Sequence, residues 1–352
     1  MSEELVMTEE LIPEEDKMPG FKSVCLRLGL MMIIVFVSRA VASVVLGLIP
    51  LPVEQMDITL VYFLDTLLSF IFLYVIPIAA ALIIFRKPCK GMCANIYKKP
   101  KYFGSALGMF PAIYGIGIAI NLVTMLISQL FADTDLNKSF NTVNELAPEN
   151  LPCALILLFQ LVVIAPIFEE FWFRGIVMES LRPYGNGFAI FVSGLLFGLT
   201  HGNLQQVFYA TALGICLGYI AVSTKSIVTT TVMHAMFNSI SGIIMIFYSL
   251  DPVKAYMSSL GGENSEHPAV IAFTIFLFAV FTLLIVGVIM AIFKLRKIRK
   301  YRVEKVWEVS AARRWGVFLS RFTVIIMLVL AADTLTFRFI PTFFYELLSG
   351  KL

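Results

Sequence analysis

Residues 151–175 read LPCALILLFQLVVIAPIFEEFWFRG. From Leu151 to Phe168 the run carries no charge, long enough to be a membrane-spanning helix. Glu169, Glu170 and Arg174 then arrive within six residues. A charge in hydrocarbon costs about 2.5–3.5 kcal/mol on insertion scales, so charges at such depth mark either a buried partner or chemistry. Two readings of this one stretch follow: it is a transmembrane helix, and its polar end has work to do.

The rest of the chain extends the first reading. Of 352 residues, 59% are hydrophobic and 14% charged, whereas soluble domains run to roughly 45–50% apolar. Nine candidate spans are expected, at 24–49, 57–85, 103–131, 151–181, 187–201, 204–222, 226–249, 268–293 and 315–340. The expected fold is an all-α, polytopic helical bundle of about eight to nine spans. The fourth span is polar in its last third and is expected to project beyond the bilayer; the fifth is short enough to tilt or to stop at mid-depth. The ninth carries Arg321, Asp333 and Arg338. Residues 1–23 form an acidic, polar tail unlike a cleavable signal peptide, which starts basic and turns apolar early. Residues 24–340 form the membrane domain, with a core at about 150–250, and 341–352 a second tail. No internal repeat, low-complexity tract or soluble domain is visible.

Lys and Arg cluster in two short connections, FRKPCKGMCANIYKKPK (85–101) and KLRKIRKYRVEK (294–305). By the positive-inside rule both are cytoplasmic, an even number of crossings separates them, and the N-terminus is cytoplasmic too. The basic residues thus set orientation and give no sign of nucleic-acid binding. Cys89 and Cys93 lack the second pair of a zinc ribbon and read as free thiols. Glycines at four-residue spacing, Gly194, Gly198 and Gly202 and then Gly214 and Gly218, allow helix backbones to approach closely in spans five and six.

Few polar residues lie deep: Glu169, Glu170, Arg174, His201, His234 and Asn238, with Arg39 and Asn121 as packing or lining residues. His267, the third histidine, falls in an external loop and reads as solvated. At 1.5 Å per residue Glu169 is about 27 Å from Leu151, His201 about 20 Å into span five, and His234 and Asn238 about 12 and 18 Å into span seven. Three spans therefore bring polar groups to similar depth. Glu170 and Arg174, four apart with the acid first, can neutralise each other as a structural pair. Glu169 points about 100° away and is left for another partner. His234 and Asn238 share one face. Singly, such a histidine is often just an interhelical hydrogen bond.

A carboxylate and a histidine shielded from bulk water can deprotonate a water molecule. A second histidine and an amide can donate to the oxyanion formed at a peptide carbonyl. No Ser, Thr or Cys stands out as a nucleophile. Metal catalysis is the competitor, with Glu169, His201 and His234 as the ligand set and zinc as the metal, although HExxH is absent.

EEFWFR (169–174), FGLTH (197–201) and HAMFN (234–238) match the motifs EExxxR, FxxxH and HxxxN. In this order they resemble the CAAX protease and bacteriocin-processing family, also called CPBP or Abi, which includes the type II CAAX prenyl endopeptidases. The resemblance covers about residues 150–250. It implies an intramembrane protease core and a peptide or protein substrate, possible membrane association of that substrate, and residence in a bacterial cell membrane. It implies that Glu169 and His201 activate water while His234 and Asn238 form the oxyanion hole. The family carries a metalloprotease label; a metal-free glutamate mechanism suits the asparagine better, since it makes sense as a hydrogen-bond donor rather than a ligand. Two rivals stay open. One is a membrane immunity or binding factor that keeps the fold without cleaving. The other is an ion-coupled transporter, for which Pro166, three residues before Glu169, would open the helix.

Overall fold

The computed structural model describes residues 14–48, 56–85, 97–130, 148–259, 264–298, 307, 309–336, 342 and 346. Its helices are α1 (Glu14–Leu48), α2 (Ile58–Ile84), α3 (Phe103–Gln129), α4 (Leu151–Tyr184), α5 (Asn186–Leu199), α6 (Leu204–Thr224), α7 (Ile227–Tyr248), the short α8 (Asp251–Ser258), α9 (Pro268–Ile298), α10 (Ala311–Leu319) and α11 (Phe322–Thr336). Among the described residues seven are long and apolar enough to cross a membrane, or eight if α10 and α11 count as one bent span. The protein is an all-α, polytopic, integral membrane protein.

The fifth span is as short as expected, and the ninth is not one continuous helix. The fifth span is a helix of 14 residues, about 21 Å long and too short to cross about 30 Å of hydrocarbon. The ninth is broken, with α10 and α11 meeting at 76°. The break falls where Arg321 would otherwise enter the apolar run, and the Arg321 guanidinium bonds the Val317 carbonyl and Ser320 Oγ instead. The last third of α4 is its most buried part, every residue from Trp172 to Met178 being covered. In addition, α1 starts at Glu14, inside the stretch read as a tail. Phe21 explains this: it is fully buried, with its ring 4.9 Å from Tyr184 and 5.3 Å from Trp307. Cys89, Cys93, Arg338 and nearly all of the C-terminal tail lie outside the described residues.

The glycine spacing produces the close approach expected of it. A Cβ on Gly214 would lie 2.8 Å from the Gly194 Cα, one on Gly198 would overlap Thr211 and the Val207 carbonyl, and one on Gly218 would touch Ile190. These pairs run in opposite directions along the chain, so α5 and α6 form an antiparallel hairpin. It returns the chain to the end it left. That end gathers Lys17 on the Pro183 carbonyl, Arg314 on the Tyr184 carbonyl, and the Lys101 N–H on the Thr224 carbonyl. At the opposite end Asn150 reaches Thr59, and Lys254 bonds the Glu149 carbonyl.

Among the described residues three turns are π-helical: Ile71–Val75 in α2, and Gln160–Ile164 and Phe171–Met178 in α4. Two precede a proline, Pro77 and Pro166. A proline ring clashes with the carbonyl four residues back, here Leu73 or Val162, and the widened turn makes room for it. A carbonyl inside each π turn accepts a hydrogen bond from another helix: Phe72 from Ser38, Leu161 from Asn238, and Phe173 from Ser193. With no water available in hydrocarbon, a backbone group without a helical partner needs such a donor.

Candidate active site

Glu169 and Glu170 sit on α4 between its two π turns. Glu170 is turned fully inward. Its Oε1 lies 2.8 Å from Arg174 Nη1 and 3.0 Å from His234 Nδ1, and neither Glu170 nor Arg174 has any exposed side-chain surface. Arg174 also donates to the Gly214 carbonyl at 3.1 Å and stacks its guanidinium 4.7 Å from the Phe197 ring centre. Two fixed acceptors and an aromatic face surround this charge, and Nε is left without a hydrogen-bond partner among the described residues.

Glu169 keeps 20% of its side-chain surface, so of the two acids it is the one a water or substrate can reach. Its Oε2 lies 3.8 Å from His234 Nε2, and its Oε1 accepts from the Tyr74 hydroxyl at 2.9 Å. His234, on α7 and 2% exposed, therefore stands between both carboxylates, Nδ1 toward Glu170 and Nε2 toward Glu169.

His201 follows the last turn of α5. Its Nδ1 faces the Phe197 carbonyl at 2.9 Å; a carbonyl can only accept, so Nδ1 carries the hydrogen and Nε2 keeps a free lone pair. The Phe197 ring packs edge-on against both histidines, 4.9 Å from His201 and 5.6 Å from His234. The electrostatic neighbours of His201 are Glu169, Arg39 and His234. Arg39, on α1, donates to the His201 carbonyl at 3.4 Å. Gly202 turns the chain there at φ +70°, and a Cβ on it would press within 3.0 Å of Arg39.

Asn238 lies one turn beyond His234 and donates through Nδ2 to the Leu161 carbonyl at 2.8 Å. One amide hydrogen is thus committed to α4 and the second is left over. Asn121 is set in α3 with Oδ1 buried and without a hydrogen-bond partner. His267 is exposed and its Nδ1 accepts from the Ala269 N–H at the start of α9. Two members of the neighbourhood escape the sequence reading: Tyr74 does not enter it, and Arg39 enters only as a packing residue. The signal for Tyr74 is there to be seen, a hydroxyl three residues before a proline inside an apolar span.

The alternative metal set of Glu169, His201 and His234 does not fit an ion. Among the described residues no three His, Cys, Asp or Glu side chains are gathered to hold one. His201 and His234 are held on either side of the Phe197 ring, 4.9 and 5.6 Å from its centre.

Residues 151–240 match the family described as type II CAAX prenyl endopeptidase Rce1-like. This stretch runs from the start of α4 past Asn238, so it includes all three motifs. Over this core the chain is similar to that family. A relative by sequence is the candidate membrane peptidase YdiL of Bacillus subtilis (strain 168), 30% identical over 96 residues. The similarity covers 27% of this chain and 38% of that protein. No solved structure matches the chain.

Proposed function

We propose that the protein is an intramembrane endopeptidase in which Glu169 and His201 activate a water and His234 and Asn238 hold the oxyanion. The observation that carries this reading is the division of labour between adjacent acids: Glu170 is sealed by Arg174 and His234, while Glu169 stays reachable beside His234 Nε2. His201 Nε2 accepts a hydrogen bond from the water, and Glu169 takes the proton as the water oxygen attacks the scissile carbonyl carbon. The tetrahedral oxyanion receives hydrogen bonds from Nε2–H of His234, in the imidazolium form that also donates Nδ1–H to Glu170, and from the second amide hydrogen of Asn238. Collapse breaks the C–N bond, and the proton held on Glu169 passes to the departing amine. Every atom is accounted for without a covalent enzyme intermediate or a metal.

The substrate is a peptide, and the family match makes peptides ending in a prenylated CAAX sequence the first class to test. We further propose a bacterial cell membrane as its location, with the basic end, including Lys17, Lys101 and Lys225, facing the cytoplasm. Residues of about 150–250 are the catalytic core within a 24–340 membrane domain.

The test is cleavage of a quenched peptide library, including prenylated CAAX peptides, by purified protein in detergent after exhaustive chelation. Wild type should cut, and Glu169→Gln should lose about 10²–10⁴-fold, the range for a general base. Wild-type rates in Glu169→Gln would overturn the assignment, and activity restored only by added zinc would overturn the metal-free chemistry.

A further inference from the structure

We propose that Tyr74 is a positioning residue for Glu169, fixing the carboxylate so that Oε2 faces His234 and the reacting water. This deepens the glutamate mechanism above and rests on it. Tyr74 lies outside the segment that matches the protease family, so nothing in that match assigns it a role.

Three observations carry the inference. First, the Tyr74 hydroxyl donates to Glu169 Oε1 at 2.9 Å while Oε2 lies 3.8 Å from His234 Nε2. The carboxylate is therefore held through one oxygen by α2 and presents the other to α7. A base whose orientation is set by a third group follows the same logic as nucleophile–base–orienter triads.

Second, the backbone is shaped to deliver this hydroxyl. No residue of α2 before the π turn, from Ile58 to Phe70, is buried. The buried face begins at Tyr74 and continues through Pro77, Ala81 and Phe85. Burial of the helix thus begins within the π turn at Ile71–Val75, and Ser38 of α1 secures it through the Phe72 carbonyl. π turns of this kind occur frequently at functional sites.

Third, the ring is packed among Phe70 and Phe168, with centroids 5.9 and 5.7 Å away. Phenylalanine would satisfy that packing equally well. Among the described residues the hydroxyl's hydrogen-bond partner there is the carboxylate of Glu169, and without it a buried donor would go unpaired.

The experiment compares wild type, Tyr74→Phe, Glu169→Gln and the double variant in two measurements. In the cleavage assay Tyr74→Phe should lower kcat by about tenfold to a hundredfold, the scale of a misplaced reacting group. KM and the thermal melting point should stay as in wild type, and the double variant should be no slower than Glu169→Gln alone. A wild-type kcat, a loss that appears in KM, or a loss carried in full into the Glu169→Gln background would overturn the role. The second measurement needs no substrate. The infrared difference between each protein and its Glu169→Gln partner isolates the Glu169 carboxyl band, which should shift when Tyr74 is Phe. An unshifted band overturns the hydrogen bond itself. A shifted band with a dead Glu169→Gln and an unaffected Tyr74→Phe would refute the positioning role and leave the glutamate mechanism standing.

Discussion

Helices α4 and α9 have nearly the same length, 34 and 31 residues, and both are apolar enough to span a membrane. They solve the membrane problem in opposite ways. In α9 the hydroxyls of Thr274 and Thr282 bond the carbonyls of Val270 and Phe278, one turn back in the same helix. Its surface is largely open, with Ile275, Phe278 and Phe293 facing outward. In α4 the backbone widens twice into π turns, and the Leu161 and Phe173 carbonyls are bonded by side chains from α7 and α5. One helix is complete in itself; the other is complete only inside its bundle. In this protein the acids that His234 is aimed at, Glu169 and Glu170, sit on the second kind, whose irregular backbone already depends on neighbours for its hydrogen bonds.

The contrast breaks most visibly at Arg174. Arg174→Ala strands the buried Glu170 carboxylate beside His234, and removing one partner of a buried pair costs about 3–5 kcal/mol. Denaturant titration of the purified protein in mixed micelles should show that loss, with little folded protein recovered at 37 °C; stability unchanged from wild type would mean the pair contributes nothing to holding α4.

A medium effect is expected at Ser193, fully buried with its Oγ 2.8 Å from the Phe173 carbonyl. Ser193→Ala leaves that acceptor open and should destabilise by about 1–3 kcal/mol, read as a lower melting temperature and faster amide exchange over residues 171–178. Thr282→Ala removes a hydroxyl of similar chemistry from exposed α9, and there the change should stay within about 0.5 kcal/mol. Equal effects at the two positions would erase the distinction between the helices.

How much of this is legible in the sequence differs by level. Long apolar runs announce α1–α4, α6, α7 and α9, because hydrocarbon thickness fixes the length a span needs. The pairing of Glu170 with Arg174 is legible from four-residue spacing, and so is the close approach of Gly194 to Gly214. The π turns are half legible, since Pro77 and Pro166 announce two of them, while the turn at Phe171–Met178 has no proline and follows from packing against α5. The Tyr74–Glu169 contact joins residues 95 apart in sequence, and no local pattern reports such a distance. The break between α10 and α11 is hidden because the surrounding residues are apolar enough to pass for a continuous span. Asn238 is legible by its chemistry alone, whereas the carbonyl it serves, Leu161, is open to it because a π turn would pair that oxygen with Pro166, which has no N–H.

The hairpin of α5 and α6 has a consequence for how the protein is made. A 14-residue segment on its own has too little apolar length to settle in a bilayer as it leaves the ribosome. Paired back-to-back through Gly194 and Gly214, it enters together with α6, which is long enough to hold both. His201 sits just before the tip of that hairpin, so it takes its place only when the whole unit has inserted. Assembly order thereby bears on the chemistry: a half-made chain ending inside α6 carries Glu169 and Tyr74, yet has neither a complete hairpin to hold His201 nor the α7 residue His234.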